Sequence, residues 1–383
     1  MAVAGDVRLR VFVRLWGIAL VAHVVGNSAL ANLPGLIGFT NLAVGLVGIA
    51  LAVRPGRTLL LWASGLVVVS LLAEMPITGN HWFVAGLVSA AALASRGRPE
   101  SFFPAARLIL LVFYSFAAFA KLNSGFLDPS VSCGVHFANQ WLDGFGFAPL
   151  EAQSRLAVAA VWGPTLTELA VPALLVWRRG RPFGVLLATA FHTAISYDLS
   201  QHFYDFTAVL LPLFFLFVPS STVVKLEREF TILPARLRRM IAHGFIGVGV
   251  VGVMAAVAAH AQVTEFYVRI VPFLLWFPFS FWWLLCLARA HGAGEGFGWT
   301  LRPAGAVLVA FTFLNGLTAY TEVKTAFAYN MYANLITAGG ESNHYIVRRT
   351  LPLRSGYAGP VRIVASSDTD LELYRDCLLY TSP

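Results

Sequence analysis

The chain has 383 residues, 58% of them hydrophobic and 12% charged, with a mean hydropathy of +0.72 and a formal net charge of +8. A soluble domain carries about 25% charged residues, so the composition excludes an ordinary soluble protein and points to a multi-pass protein whose main partner is a lipid bilayer. The basic residues sit in brief loops rather than on one face or in one long tract, which argues against nucleic acid as a partner, and the three cysteines (Cys133, Cys286, Cys377) are too few and too scattered for a disulfide framework or a CxxC metal site.

A bilayer core of ~30 Å asks for ~20 mostly apolar residues per helix. Apolar windows recur at roughly 11–31, 34–53, 59–73, 81–95, 103–121, 156–177, 183–198, 203–219, 241–262, 269–288 and 301–320. The expected fold is therefore an all-α, polytopic transmembrane helical bundle of about eleven spans over residues 1–320. The third and fourth windows are short enough to be re-entrant pieces. Arg8, Arg10 and Arg14 followed by an apolar run ending at Ala29-Leu30-Ala31 mimic a signal peptide, but Arg14, His23 and Asn27 make a poor apolar region, so an uncleaved first helix is expected.

Positive charge falls at the N-terminus, at Arg54–Arg57, Arg96–Arg98, Arg178–Arg181, Lys225–Arg239 and Arg289–Arg302. Each of these follows an even-numbered window or precedes the first. The positive-inside rule then places the N-terminus in the cytoplasm of a bacterial cell, the protein in its plasma membrane, and a short tail, residues 321–375, outside. Within that tail Pro360–Ala365 alternates as a short strand would, and Asp376–Pro383 reads as translated adapter sequence rather than native chain. The outward loops hold Glu74, His81, His136, His202, His260 and His344, with His192 near the outer end of the seventh window, so chemistry is expected on that side. The run Gly247-Val248-Gly249-Val250-Val251-Gly252 lacks a preceding strand and fails as a dinucleotide motif; small residues that let helices pack closely explain it.

Three lysines stand against 24 arginines, so positive charge as such is supplied by arginine. Lys121 ends the apolar stretch Leu108–Ala120, where desolvation lowers an ammonium pKa and arginine could not act as a base. A lysine that snorkels to the headgroups is the structural alternative. Glu168 lies mid-window in Pro164–Pro172, where an ionised carboxylate costs ~3 kcal/mol on insertion scales; Arg107 or Arg14 is the structural partner weighed for it. Asp198, His202 and Asp205 could ligate a metal, but short polar caps of a membrane hairpin explain them too, and no metal site is expected. His81 and His136 read as interfacial, His23 as satisfied by a neighbouring helix, and the aromatic run Phe273–Trp283 as lipid-facing bulk.

The segment from Phe116 through Lys121-Leu122-Asn123 to Asp128-Pro129, followed by Cys133, His136 and Trp141, resembles the horizontally transferred transmembrane domain family, which includes vitamin K-dependent gamma-carboxylase. Phe191-His192 through Tyr197-Asp198 to His202-Phe203 is similar to the family's Phe-His helix, and Asn330–Leu335 with Glu341–His344 resembles a segment of prokaryotic relatives. The likeness is best over residues 100–220. It implies a reduced quinone of vitamin K or menaquinone type as cofactor, Lys121 as general base, His192 orienting the quinone oxygen, and Asn123, Asp128, His136, Tyr197, Asp198 and His202 around the quinone or substrate. Only about sixty residues follow the last window, so the large extracytoplasmic portion with which the carboxylase grips its substrate has no counterpart. A quinone-linked or carboxylase-like enzyme is the leading expectation. The rivals are a transporter or lipid-handling protein, which needs a polar path to both faces, and a non-catalytic scaffold, which tolerates arginine at position 121. The sequence names no protein partner.

Overall fold

The computed structural model describes residues 2–27, 33, 35–75, 78–198, 203–232, 234–258, 271–290, 292–324 and 327–353. Among them the chain is all-α apart from one small hairpin. The thirteen helices are α1 (Ala2–Gly26), α2 (Leu36–Val53), α3 (Arg57–Glu74), α4 (Asn80–Ala94), α5 (Pro99–Ala120), α6 (Cys133–Gly144), α7 (Arg155–Val176), α8 (Arg181–Ile195), α9 (Phe203–Phe215), α10 (Ser220–Ile232), α11 (Ala235–Ala258), α12 (Val271–Arg289) and α13 (Pro303–Leu317). β1 (Thr337–Ala338) and β2 (Glu341–Ser342) follow.

Every apolar window of the sequence holds a helix, but eleven spans is too many. Six helices are long and apolar enough to cross a membrane: Gly5–Gly26, Leu36–Val53, Arg57–Glu74, Pro99–Ala120, Arg155–Val176 and Ala235–Val257. A seventh arises if α9 and the start of α10, which meet at a 118° bend, count as one broken span. By length and composition this is a multi-span membrane protein. Window hydropathy overcounts because it cannot see where a helix stops. The fourth window becomes the 15-residue α4, which starts after Gly79 and ends at Ser95, Arg96 and Gly97, the last two at φ 53° and 65°. Such a helix rises about 22 Å, well short of a ~30 Å bilayer core. The third window, in contrast, is the 18-residue α3 and qualifies.

The chain divides into two compact units. The first comprises Met1–Leu110 and Ala173–Val309, with α1 as its central helix: Phe12, Trp16, Leu20 and Val24, each one turn from the next, are all buried. α1 packs on α2 and α9, and α3 on α2 and α4. A Cβ at Gly17 would fall 2.5 Å from the Gly48 carbonyl oxygen, so the α1–α2 approach requires two bare backbones. Of the glycines read as packing residues, Gly249 and Gly252 do face Ile49 and Val25, while Gly247 faces open space.

The basic loops of this unit gather at the N-terminal end of α1. Arg57 Nε donates to the Arg96 carbonyl (2.6 Å), Arg8 Nη2 to the Val218 carbonyl (2.7 Å), Arg10 pairs with Glu227 (2.6 Å), and Arg178 Nε donates to the Gly294 carbonyl (3.3 Å). The guanidinium of Arg107 stacks on Phe297 at 3.8 Å and that of Arg181 at 4.6 Å.

The second unit comprises Leu111–Pro172 and Ala310–Pro383. Phe126, Cys133, Val135, Ala157 and Val161 form one of its cores, and Ala120, Ala319, Tyr320, Ala328, Ala333 and Leu335 another. β1 and β2 pair antiparallel, Thr337 opposite Ser342 and Ala338 opposite Glu341. Gly339 and Gly340 turn between them at φ 65° and 84°, a two-residue turn that only residues free to adopt positive φ form readily. The strand expected at Pro360–Ala365 lies outside the described residues. Large apolar side chains stand exposed on several helices, among them Phe39 (68%) and Trp62 (72%) in the first unit and Leu166 and Phe311 in the second. A soluble surface rarely exposes so many large apolar side chains; lipid accepts them.

Candidate functional site

Lys121 follows directly on α5, where the chain tightens into short turns: the Lys121 N–H reaches the Ala118 carbonyl (3.2 Å) and the Leu122 N–H that of Phe119 (3.0 Å). Its Nζ donates to Glu168 Oε2 at 2.6 Å and lies 5.6 Å from the centre of the Phe126 ring. The two side chains are 10% and 12% exposed, so the contact is a charge-assisted hydrogen bond largely withdrawn from solvent. The two ionisable residues singled out separately in the sequence are therefore each other's partners. Arg107 is spoken for by the Leu216 carbonyl at 3.0 Å and by aromatic rings. Glu168 sits mid-α7, and four residues on, Pro172 has no N–H to offer the Glu168 carbonyl.

What fixes Lys121 is the segment after α13. Asn123 is fully buried, and its Nδ2 donates to the carbonyls of Ala120 (2.7 Å) and Ala333 (2.6 Å). Its Oδ1 accepts from Phe126 N (2.9 Å) and Asn343 Nδ2 (3.2 Å). Asn334 accepts from Cys133 N (2.8 Å) and donates to the Val131 carbonyl (3.1 Å). His344 Nδ1 accepts from the N–H groups of Ile346 and Val347, both at 3.1 Å. The proton is thereby on Nε2, which donates to the Phe119 carbonyl at 2.8 Å. Burial holds His344 below the usual imidazole value, only partly offset by that bond. Asn330–Leu335 and Glu341–His344 thus work as a clasp on the Lys121 turn.

Asp128, expected near a quinone, is exposed and accepts from Ser130 N (2.9 Å) and Ser130 Oγ (2.7 Å), bonds that hold it below the usual carboxylate range. His136 is half-buried on α6 beside Phe137. These residues share the second unit with Lys121 and Glu168. His192, Tyr197 and Asp198 belong to the first. His192 is buried with the rings of Phe191, Phe206 and Phe214 around it, and its carbonyl accepts from Thr207 Oγ1 at 3.1 Å. Tyr197 lies on Phe277 with its hydroxyl 3.3 Å from Ser280 Oγ, and Asp198 is buried. His202 and His260 lie outside the described residues. The aromatic run on α12 is only partly lipid-facing: Trp276 and Trp283 are buried, the former donating to Ser196 Oγ at 2.8 Å, while Phe277 and Phe281 are exposed.

A second polar group in the first unit, His23, Glu74, His81 and Asp205, was not expected as a group. The sequence did carry a signal for it, because its members stand towards the C-terminal ends of the first and third windows and the N-terminal ends of the fourth and eighth, but hydropathy treats each window alone. No family model matches this chain, and neither any curated protein nor any solved structure shows significant similarity to it.

Proposed function

We propose that this protein is a quinone-linked membrane enzyme whose proton-transfer element is the Lys121–Glu168 pair. The observation that carries the reading is the 2.6 Å contact between Nζ and Oε2 at the end of an apolar helix. In the proposed role the ammonium passes a proton across this hydrogen bond to the carboxylate. The amine is then a base, which arginine at this position could never be. The Phe126 ring gives the pair an apolar wall suited to a flat aromatic headgroup. A reduced quinone, when bound, would supply the electrons for dioxygen; the chain supplies the proton acceptor and its orientation. The resemblance of Phe116–Trp141 to the carboxylase family supports the same role for Lys121, and that of Phe191–Phe203 supports a quinone-orienting role for His192. In this reading the N-terminus and the basic loops gathered around it face the cytoplasm.

The test is quinol-dependent oxygen consumption by the purified chain in lipid, with reduced menaquinone or vitamin K hydroquinone, in wild type and in Lys121→Ala, Lys121→Arg and Glu168→Gln. General-base loss should lower the rate about 100-fold or more in both Lys121 variants. Wild-type turnover no faster than empty lipid overturns the reading in favour of transport or lipid handling. Full activity in Lys121→Arg rules out the base.

A further inference from the structure

His23, near the C-terminal end of α1, is 1% exposed and presses its ring flat on the buried Trp82, centroids 3.5 Å apart at 10°. Its Nδ1 lies 3.2 Å from Asp205 Oδ2, in the first turn of α9. His81 Nε2, from the start of α4, lies 2.9 Å from the same oxygen. These three ligand atoms all fall within 4.8 Å of one another. On the far edge of the His23 ring, Nε2 faces Glu74 Oε1 at 3.7 Å, and that oxygen accepts from Ser70 Oγ (2.8 Å) and Asn41 Nδ2 (3.2 Å).

Hydrogen bonding among these groups leaves much unsatisfied. Asp205 Oδ1, Glu74 Oε2, His81 Nδ1 and His23 Nε2 are all buried without a hydrogen bond, an arrangement unfavourable for each. Two carboxylates also share this apolar interior. A divalent cation among His23 Nδ1, His81 Nε2 and Asp205 Oδ2 balances both carboxylates with both rings neutral. Bonds of about 2.0–2.2 Å to one ion, at angles of about 90° to 109°, put its ligand atoms about 2.8–3.6 Å apart, a range that holds both separations to Asp205. Glu74 then takes the place of the outer carboxylate that receives the second ring N–H and fixes which nitrogen binds metal. Two imidazoles select against calcium and magnesium, which want oxygen, and for zinc, iron(II) or their first-row neighbours. The backbone makes room for the ligands: a Cβ at Gly26 would lie 3.0 Å from Asp205 Cβ, and one at Gly79 3.0 Å from His81 Cε1.

We propose that His23, His81 and Asp205 form a binding site for a divalent first-row transition metal ion, with Glu74 orienting His23. Three protein ligands leave coordination positions open, as in sites that bind a further small ligand rather than purely structural ones. The site is distinct from the metal set weighed in the sequence, with which it shares only Asp205.

The experiment uses the full chain, purified without a polyhistidine tag into lipid nanodiscs, stripped with chelator and titrated with Co²⁺ and Zn²⁺. Wild type should take up about one ion per chain, Co²⁺ giving the visible spectrum of a mixed nitrogen–oxygen site. His81→Asn and Asp205→Asn should lower affinity at least about 100-fold, and Glu74→Gln about 10- to 100-fold, while His243→Asn, at an exposed histidine elsewhere, should bind as wild type. Wild type that takes up less than about a tenth of an equivalent of either ion overturns the site without recourse to any variant. Unchanged affinity in both His81→Asn and Asp205→Asn overturns it as well.

Discussion

Lys121 Nζ and Glu168 Oε2 meet at 2.6 Å although 47 residues separate them in the chain. Breaking a largely buried pair strands the remaining charge and costs about 3–5 kcal/mol, whereas apolar groups at both positions cost far less. Lys121→Met and Glu168→Leu should therefore each lower the unfolding midpoint in bicelles, and the double variant should lie closer to wild type than either. Additive losses would show that the two side chains are energetically independent.

The Asn123 side chain makes four hydrogen bonds, two of them to the segment after α13. Asn123→Ala should cost about 2–4 kcal/mol, several bonds at about 1 kcal/mol each, and release that segment. Hydrogen exchange at residues 333–345 reads it: protection should fall there and persist in α1 and α2. Unchanged protection would mean the clasp is held mainly by the apolar contacts of Ala333 and Leu335.

Two groups outside the spans make the clasp pH-dependent. The Thr350 hydroxyl, with the N–H groups of Gly340 and Gly339, holds Glu322 below the usual carboxylate range, and burial holds His344 below the usual imidazole value. In both cases the unfolded segment binds protons more tightly, so stability is complete above the unfolded pKa and is lost as pH falls through the folded one. Protection factors at residues 339–347, taken against the intrinsic rate at each pH, should fall below about pH 6.5, and again below about 4.3. Glu322→Gln should lose only the second step. Protection that stays constant from pH 8 to 4 would contradict both assignments.

A Cβ at Gly48 would stand 2.9 Å from the Gly17 carbonyl oxygen and from Leu20 Cβ, whereas one at Gly65 meets nothing within 4 Å. Gly48→Val should thus separate α1 from α2 at a cost of about 1–3 kcal/mol. Gly65→Ala should be neutral or gain up to about 1 kcal/mol of helix propensity. Unfolding midpoints of the two variants compare them directly, and equal shifts would contradict the close α1–α2 approach.

Some of this protein was legible locally. A bilayer demands apolar side chains residue by residue, so composition and windows identify a multi-span helical protein, and an ionisable group in such a window is costly wherever it sits, which marks Lys121 and Glu168 one at a time.

Partners and ends are not local. That Glu168 faces Lys121 rather than an arginine, that Asn123 clasps Ala333 and Asn343, and that Asp205 joins His23 and His81 depend on which helices become neighbours, and no window contains that information. Helix ends decide the span count in the same way: Arg96 and Gly97 stop α4 through backbone conformation and hydrogen bonding, terms to which hydropathy is blind. Sequence alone determined the solvent this chain folds in and the residues too costly to be accidental there; only the tertiary structure decided how their charges are balanced, because that balance is struck between side chains far apart along the chain.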